Sequence, residues 1–359
     1  MKAADRAVVR ERLSSQWISR SPATSARDVV QWMTAMQGQD LASVLWSIGV
    51  RWPGSIAADI ERAFSDGAIV RSWPMRGTLH VVVAQDLPWM LGLTSARMLQ
   101  RSAARGRALG ITDRHLGAAR DAASGTLGGG LELGREDLYR AFESAGIDTT
   151  GQRGYHLLWN LAQNAVICLG PWVNGRQAFV LVDEWIGTGR ALDRDEALAE
   201  FALRYFSSHG PATIRDFAWW SSLTLADARA GTAIAAGDLE RRTDGDDEYF
   251  LAPDSAGLRR DRVRLLPGFD EFLLGYQRRS PQLAPHHAER VVPGGNGVFL
   301  STIVDDGNVV GTWTRTTSAG RVSLATQRFS PGSSRLDDGI TRAGGEFARF
   351  LGLTLARRA

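Results

Sequence analysis

Met36-Gln37-Gly38-Gln39-Asp40 lies between two segments that both read as helices, and the fold of the N-terminal part turns on this junction. Upstream, Ser25 is placed to cap a helix, with Asp28 three positions on in a capping-box-like arrangement. That helix turns Val29, Val30, Met33 and Met36 inward. Downstream, Leu41 to Val50 carries Val44, Leu45 and Ile48 as the apolar positions of a second helix. A helix, a short break at glycine and another helix make the helix-turn-helix layout. A further helical pattern, Asp5 to Ser14 with Val8, Val9 and Leu13 on one face, comes before it. Ile69 to Trp73 and Thr78 to Val83 then read as strands around Pro74-Met75-Arg76-Gly77, a β-wing with Arg71 and Arg76 flanking its turn. A long helix from Asp86 to Leu109 closes the unit.

The same order of elements recurs. Helices at Asp113–Ala123, Gly134–Ala145 and Gln152–Gln163 precede strands at Ala165–Leu169 and Ala178–Val182. Helices at Asp195–Ser208, Thr213–Trp220 and Leu225–Ala235 precede strands at Leu239–Thr243 and Glu248–Leu251, around Asp244-Gly245. The C-terminal third changes character, with strands expected at Val263–Leu266, Phe272–Tyr276, Gly297–Val304, Val309–Thr316 and Arg321–Phe329. Asp306-Gly307 is a strong hairpin-turn dipeptide between two of them. A last amphipathic helix is expected over Leu336–Leu353. The expected fold is therefore α+β: three repeats of helices followed by a hairpin at 1–110, 111–190 and 191–257, the first a winged helix, then a small antiparallel sheet or barrel with a C-terminal helix at 258–359.

At 359 residues the chain is too long for one ordinary core. Its 44% hydrophobic and 23% charged content is that of a soluble globular protein. No apolar run approaches the roughly 18 residues of a membrane span, and the first residues lack a signal-peptide centre, so a cytoplasmic monomer with no membrane partner is expected. Cys168 is alone, which excludes a disulfide framework and a cysteine metal cluster. The net charge of +3 argues only weakly for nucleic acid. More telling is that Lys2 is the single lysine among 42 basic residues, because arginine binds phosphate bidentately, stacks on bases and reads guanine edges. Codon bias in a GC-rich genome accounts for the same composition.

Gln37 and Gln39 carry the sharpest chemistry. Residues two apart do not share a helix face, but in an extended or turn segment they point to one side. Gly38 permits such a turn, and each amide offers two donors and an acceptor, enough to hold a water or a base edge. Structural capping explains the same residues. Asp40 is either a general base or a helix cap. Arg71, Arg76, Arg278 and Arg279 are candidate phosphate or groove contacts, and each fits a solvated surface equally well. His286 and His287 lie in a polar loop and could touch DNA, but no third metal ligand accompanies them, so no metal is expected. His80 reads as a core histidine, and Trp219-Trp220 as core aromatics before stacking platforms.

Three blocks in order give a resemblance covering nearly the whole chain. Met36–Asp40 followed by Arg71–His80, then Leu265-Leu266-Pro267-Gly268-Phe269-Asp270 through Tyr276, then Val310-Gly311-Thr312-Trp313, resemble the AlkZ-type winged-helix DNA glycosylases, the helix-turn-helix family 42 proteins. The resemblance implies three tandem winged-helix units followed by a small antiparallel β-barrel and a C-terminal helix, and a catalytic Gln-x-Gln motif at Gln37 and Gln39. The family's middle position is aliphatic or small, and Gly38 is smaller than most. The implied reaction is hydrolysis of the N-glycosidic bond of bulky N7-alkylpurines in double-stranded DNA, without cofactor, with interstrand cross-links and self-resistance to an alkylating natural product as extensions. Neutral amides suit that task, because a cationic purine leaves without protonation and the remaining work is to place water and stabilise an oxocarbenium-like sugar. The competing class is a non-catalytic winged-helix DNA binder or regulator. Against it, the helix from Leu41 has no basic residue before Arg51.

Overall fold

The computed structural model describes residues 3–173, 175–245, 247–253 and 262–356. The chain is α+β and divides into two compact units, Met1–Ile60 with Leu198–Ala359, and Glu61–Ala197.

The first unit opens with helices α1 (Ala3–Ser15), α2 (Ala26–Met33) and α3 (Leu41–Arg51). α2 starts where the sequence expects it. The Ser25 hydroxyl accepts the Asp28 N–H at 3.1 Å, and Asp28 in turn accepts from the Thr24 N–H at 2.9 Å. These bonds satisfy donors that the first turn of a helix leaves over. Val29, Val30 and Met33 are wholly buried, and each side chain so removed from water contributes about 1.5–3 kcal/mol. α3 buries Val44 and Ile48 on one side and Trp46 on another, where the indole N–H donates to Leu265 O at 2.7 Å. Gly49 is needed there because a Cβ would stand 2.5 Å from the Phe350 ring.

Later in this unit come helices Arg194–His209, Ile214–Ser221 and Leu225–Ile234, then the hairpin Glu240–Asp244 with Asp247–Leu251. The C-terminal sheet runs in the order Thr354–Leu355, Arg321–Arg328, Asn308–Ser318, Thr302–Asp305, Arg264–Leu266. Asp306 and Gly307 both have positive φ, 49° and 82°, the backbone of a type I′ hairpin turn, as the Asp-Gly pair predicts. Helix Ser334–Phe350 covers the sheet with Leu336, Ile340 and Phe347, and the Phe347 ring meets Trp313 edge-on at 5.1 Å.

In the second unit four strands of one sheet lie in the order Thr78–Val83, Ile69–Met75, Ile167–Val173, Arg176–Leu181. The first two pair antiparallel with Ile69 opposite Val83 and Ser72 opposite His80, and Arg71 faces Leu169 across to the next hairpin. Helices Leu87–Ala108, Asp113–Leu127, Arg135–Ser144 and Arg153–Gln163 pack a core of Trp73, Leu127, Leu138, Phe142 and Leu157. Among the described residues no helix is long and apolar enough to cross a membrane.

Several expectations need correction. Phe272–Tyr276 is not a strand: Glu271–Leu274 form a helical turn, capped by Asp270 through the Phe272 N–H at 2.9 Å. A short apolar run buried on every side has no period to separate strand from helix. The strand expected from Gly297 begins only at Thr302, after a 3-10 turn at Pro293–Gly295. The C-terminal sheet is not wholly antiparallel, because Thr354–Leu355 pairs in parallel with Arg321–Val322. Met36 lies outside α2, in an extended pair with Gln37. Helix Ala57–Ser65 was not expected at all.

Candidate active site

α2 stops abruptly. Thr34 takes φ 69° and ψ −54°, and the Ala35 N–H reaches back to Met33 O at 2.8 Å, closing a three-residue γ-turn. This is the rare, strained hand of that turn. A β-branched residue at positive φ costs on the order of 1–3 kcal/mol and persists only where the surroundings impose it. Met36 and Gln37 then run extended, Gly38 is buried, and Gln39 and Asp40 emerge at the surface before α3 begins. The Asp40 carboxylate is the N-cap of α3 and accepts the Ser43 N–H at 3.1 Å. Gln37 Oε1 and Thr34 Oγ1 are buried and receive no hydrogen bond from the described residues. An unmatched buried acceptor costs about 1–3 kcal/mol. A strained turn and two such atoms within four residues single this segment out as a candidate site.

Behind the junction stands Glu271, buried to within 1% of full exclusion. Its Oε1 accepts the Gln37 backbone N–H at 2.8 Å, and its Oε2 accepts the Trp220 indole N–H at 2.9 Å. Its own carbonyl accepts from Gln16 Nε2 at 3.2 Å and from the Gly275 N–H at 2.7 Å. His209 Nε2 lies 3.7 Å from Oε2. The Ser208 hydroxyl lies 2.7 Å from Arg204 O and 2.8 Å from His209 Nδ1. Burial holds the His209 imidazole below its ordinary pKa, against the raising influence of Glu271. Next in the chain, Asp270 takes both Arg51 amino groups, at 2.8 and 2.9 Å, and the Ser47 hydroxyl at 2.6 Å. Arg51 also donates to Gln16 O and Gln16 Oε1, each at 2.9 Å. The far end of α3 and the turn carrying Glu271 are thus locked by one buried ion pair.

The family model described as DNA glycosylase AlkZ-like matches residues 30–350, a span that holds the whole junction and Glu271. The chain belongs to the AlkZ-like DNA glycosylases. Over 334 residues it is 27% identical to the interstrand DNA cross-link repair glycosylase of Streptomyces sahachiroi, covering 87% of this chain and 88% of that protein. The structure of Streptomyces sahachiroi DNA glycosylase AlkZ aligns with a TM-score of 0.80 at 25% identity, over 99% of this chain and all of that one. This AlkZ-like glycosylase is therefore an enzyme acting on DNA, with a mixed α+β fold of that kind.

The other residues singled out in the sequence lie in varied settings. Arg71 donates to Gln177 Oε1 at 3.0 Å from within its strand, and Arg76 sits at the hairpin turn with positive φ, 3.0 Å from His80 Nε2. His80 is buried and gives its Nδ1–H to Thr78 O at 2.8 Å, which leaves Nε2 to accept from Arg76. Arg278 is exposed and paired with Asp247. Arg279 donates to Leu273 O at 2.8 Å and lies over the Trp219 and Phe299 rings at 4.8 and 4.9 Å, a packed position. The His286 and His287 rings are 4.0 Å apart, with His287 against Phe329 at 4.5 Å. Trp220 is core, as its sequence setting suggests. Glu271 and His209, which stand behind the junction with Trp220, were not singled out from the sequence. Their only local signal was the Asp270-Glu271 pair opening an apolar run, and the separation of 234 positions between Gln37 and Glu271 hides the contact.

Proposed function

We propose that this AlkZ-like DNA glycosylase hydrolyses the N-glycosidic bond of bulky N7-alkylated purines, with Gln37 and Gln39 holding the attacking water against the sugar. The observation that carries this reading is the pairing of a half-buried Gln37, whose amide oxygen has no donor among the described residues, with an exposed Gln39 two residues on, in a strained non-helical stretch. An amide oxygen without an internal partner gains by turning towards a water or a developing cation. In the proposed step the N9–C1′ bond breaks, its electron pair neutralises the cationic purine, and water adds to C1′ and releases its proton to solvent. The amides need only orient the water and place carbonyl dipoles near the positive sugar, and orientation alone is worth several kcal/mol.

The name of the Streptomyces sahachiroi relative supports extending the substrate to interstrand cross-links; a role in self-resistance against a DNA-alkylating product rests on the family resemblance alone. The helix-then-hairpin order supports three winged-helix units at 1–110, 111–190 and 191–257, before a β-barrel region at 258–359. Arg71, Arg76, Arg278, Arg279, His286 and His287 are the proposed DNA contacts, with Arg279 the weakest because stacking already occupies it. The enzyme is proposed to act as a cytoplasmic monomer, nucleoid-associated when bound to DNA.

Duplex oligonucleotides carrying 7-methylguanine, a bulky N7-alkylguanine or an N7–N7 cross-link are incubated with enzyme, and free base and alkali-labile abasic sites are measured. Gln37→Ala and Gln39→Ala should each slow release by about 100-fold, the usual cost of losing a positioned polar group. Full activity in both variants, or binding without release across the panel, refutes the assignment.

A further inference from the structure

The catalytic pair proposed above rests on a stretch that its own backbone does little to hold. Gln37 follows a strained γ-turn at Thr34, and α3 begins only after Asp40. Its position is fixed by the bond from its N–H to Glu271 Oε1, 2.8 Å long and shielded from water. The second oxygen of the same carboxylate is fixed by the Trp220 N–H at 2.9 Å. Trp220 is itself immobilised, fully buried with its ring 4.9 Å from Tyr205 and 5.3 Å from Phe201. Glu271 is set by the Asp270 cap and by Gln16, both tied to Arg51. A rigid chain therefore runs from a packed aromatic cluster through one carboxylate to the backbone of Gln37.

We propose that Glu271 is a positioning residue for the reaction: it sets the Gln37 side chain by receiving the Gln37 and Trp220 N–H groups on its two oxygens at once. This rests on the assignment of Gln37 as a catalytic residue. The two donors explain why the position is a carboxylate. Only an acid presents an acceptor on both branches; glutamine, its closest neutral counterpart in shape, presents one acceptor and one donor. With glutamine at 271, an NH2 group must face either the Gln37 N–H or the Trp220 N–H, and donor against donor displaces whichever partner moves more easily. That partner is Gln37, because Trp220 is locked in its cluster. A shift of about 1 Å in a water-orienting group is enough to cost on the order of 100-fold in rate.

The same geometry predicts a rescue. In Glu271→Gln with Trp220→Phe, the competing donor is gone. The new amide can keep its oxygen on the Gln37 N–H and turn its NH2 to the side that the Trp220 N–H has vacated, where the nearest ring nitrogen, His209 Nε2, is 3.7 Å from Oε2. Single-turnover base release is measured with enzyme in excess on the best-excised N7-alkylguanine duplex of the panel above. DNA affinity is measured by fluorescence anisotropy, and the folded fraction by near-ultraviolet circular dichroism on the same samples.

Glu271→Gln should slow release at least about 10-fold while affinity stays within about 3-fold. Adding Trp220→Phe should bring the rate to within about 3-fold of Trp220→Phe alone. Release at the normal rate in Glu271→Gln overturns the inference. So does a rate loss that follows the unfolded fraction, or one that Trp220→Phe does not relieve, since a structural role predicts both. Normal release by Gln37→Ala instead sinks the assignment of Gln37. An inactive Gln37→Ala beside a fully active Glu271→Gln sinks only the role of Glu271.

Discussion

Asp40 separates two readings of the same motif by their magnitudes. Its carboxylate caps α3 through the Ser43 N–H at 3.1 Å and stands exposed beside Gln39. If capping is its role, Asp40→Asn keeps an acceptor in place and loses only the favourable meeting of a negative charge with the helix N-terminus, about 0.3–1 kcal/mol. Asp40→Ala loses the cap itself, about 1 kcal/mol of stability. If Asp40 is instead the general base, its removal costs about 100- to 10,000-fold in rate, equivalent to roughly 3–5 kcal/mol in the barrier. The two outcomes differ by at least one order of magnitude in rate. Single-turnover excision and urea unfolding are measured on both variants. Asp40→Asn should excise within about 3-fold of the parent with unfolding free energy down by no more than about 1 kcal/mol. Asp40→Ala should lose about 1 kcal/mol and slow modestly, as the start of α3 frays next to Gln39. A folded Asp40→Asn that has lost 100-fold or more refutes the cap assignment and moves Asp40 into the chemistry.

Arg51→Met should destabilise the protein by about 3–5 kcal/mol in urea unfolding, because it leaves the Asp270 carboxylate buried without its bidentate partner; a loss under about 1 kcal/mol contradicts the buried-pair account. Burial pushes the Cys168 thiol up to about 12, so it should resist thiol reagents at mildly alkaline pH in the native protein and react fully in guanidinium; prompt native labelling would show that the strand opens readily. Gly307→Ala forces a Cβ to 2.0 Å from Val9 Cγ1 at φ 82°, and thermal unfolding should report a loss of about 2–4 kcal/mol. An unchanged melting temperature would mean that the Asp306–Gly307 turn does not pack on α1 as described.

Much of the fold was legible along the chain because the signals are local. Ser25 and Asp28 announced α2, Asp306-Gly307 announced a hairpin turn, and apolar spacing located most of the longer helices within a few residues, Ala57–Ser65 excepted. The failures are equally local in cause. Phe272, Leu273 and Leu274 are buried on every side, so their pattern carries no period, and the single deciding feature was the Asp270 cap. Met36 kept the spacing of α2, but the chain left the helix at Thr34 in a γ-turn that no threonine favours by itself.

The sequence alone determined most of the elements, their order and the presence of two amides around a glycine just ahead of an acid, because periodicity and capping act over a few residues. Tertiary structure decided what those amides rest on. Burial of Glu271 between Gln37 and Trp220, and of Arg51 against Asp270, joins residues 51 to 234 positions apart. Hydrogen bonds of that kind depend on which groups the folded core excludes from water together, and one-dimensional spacing carries no record of it.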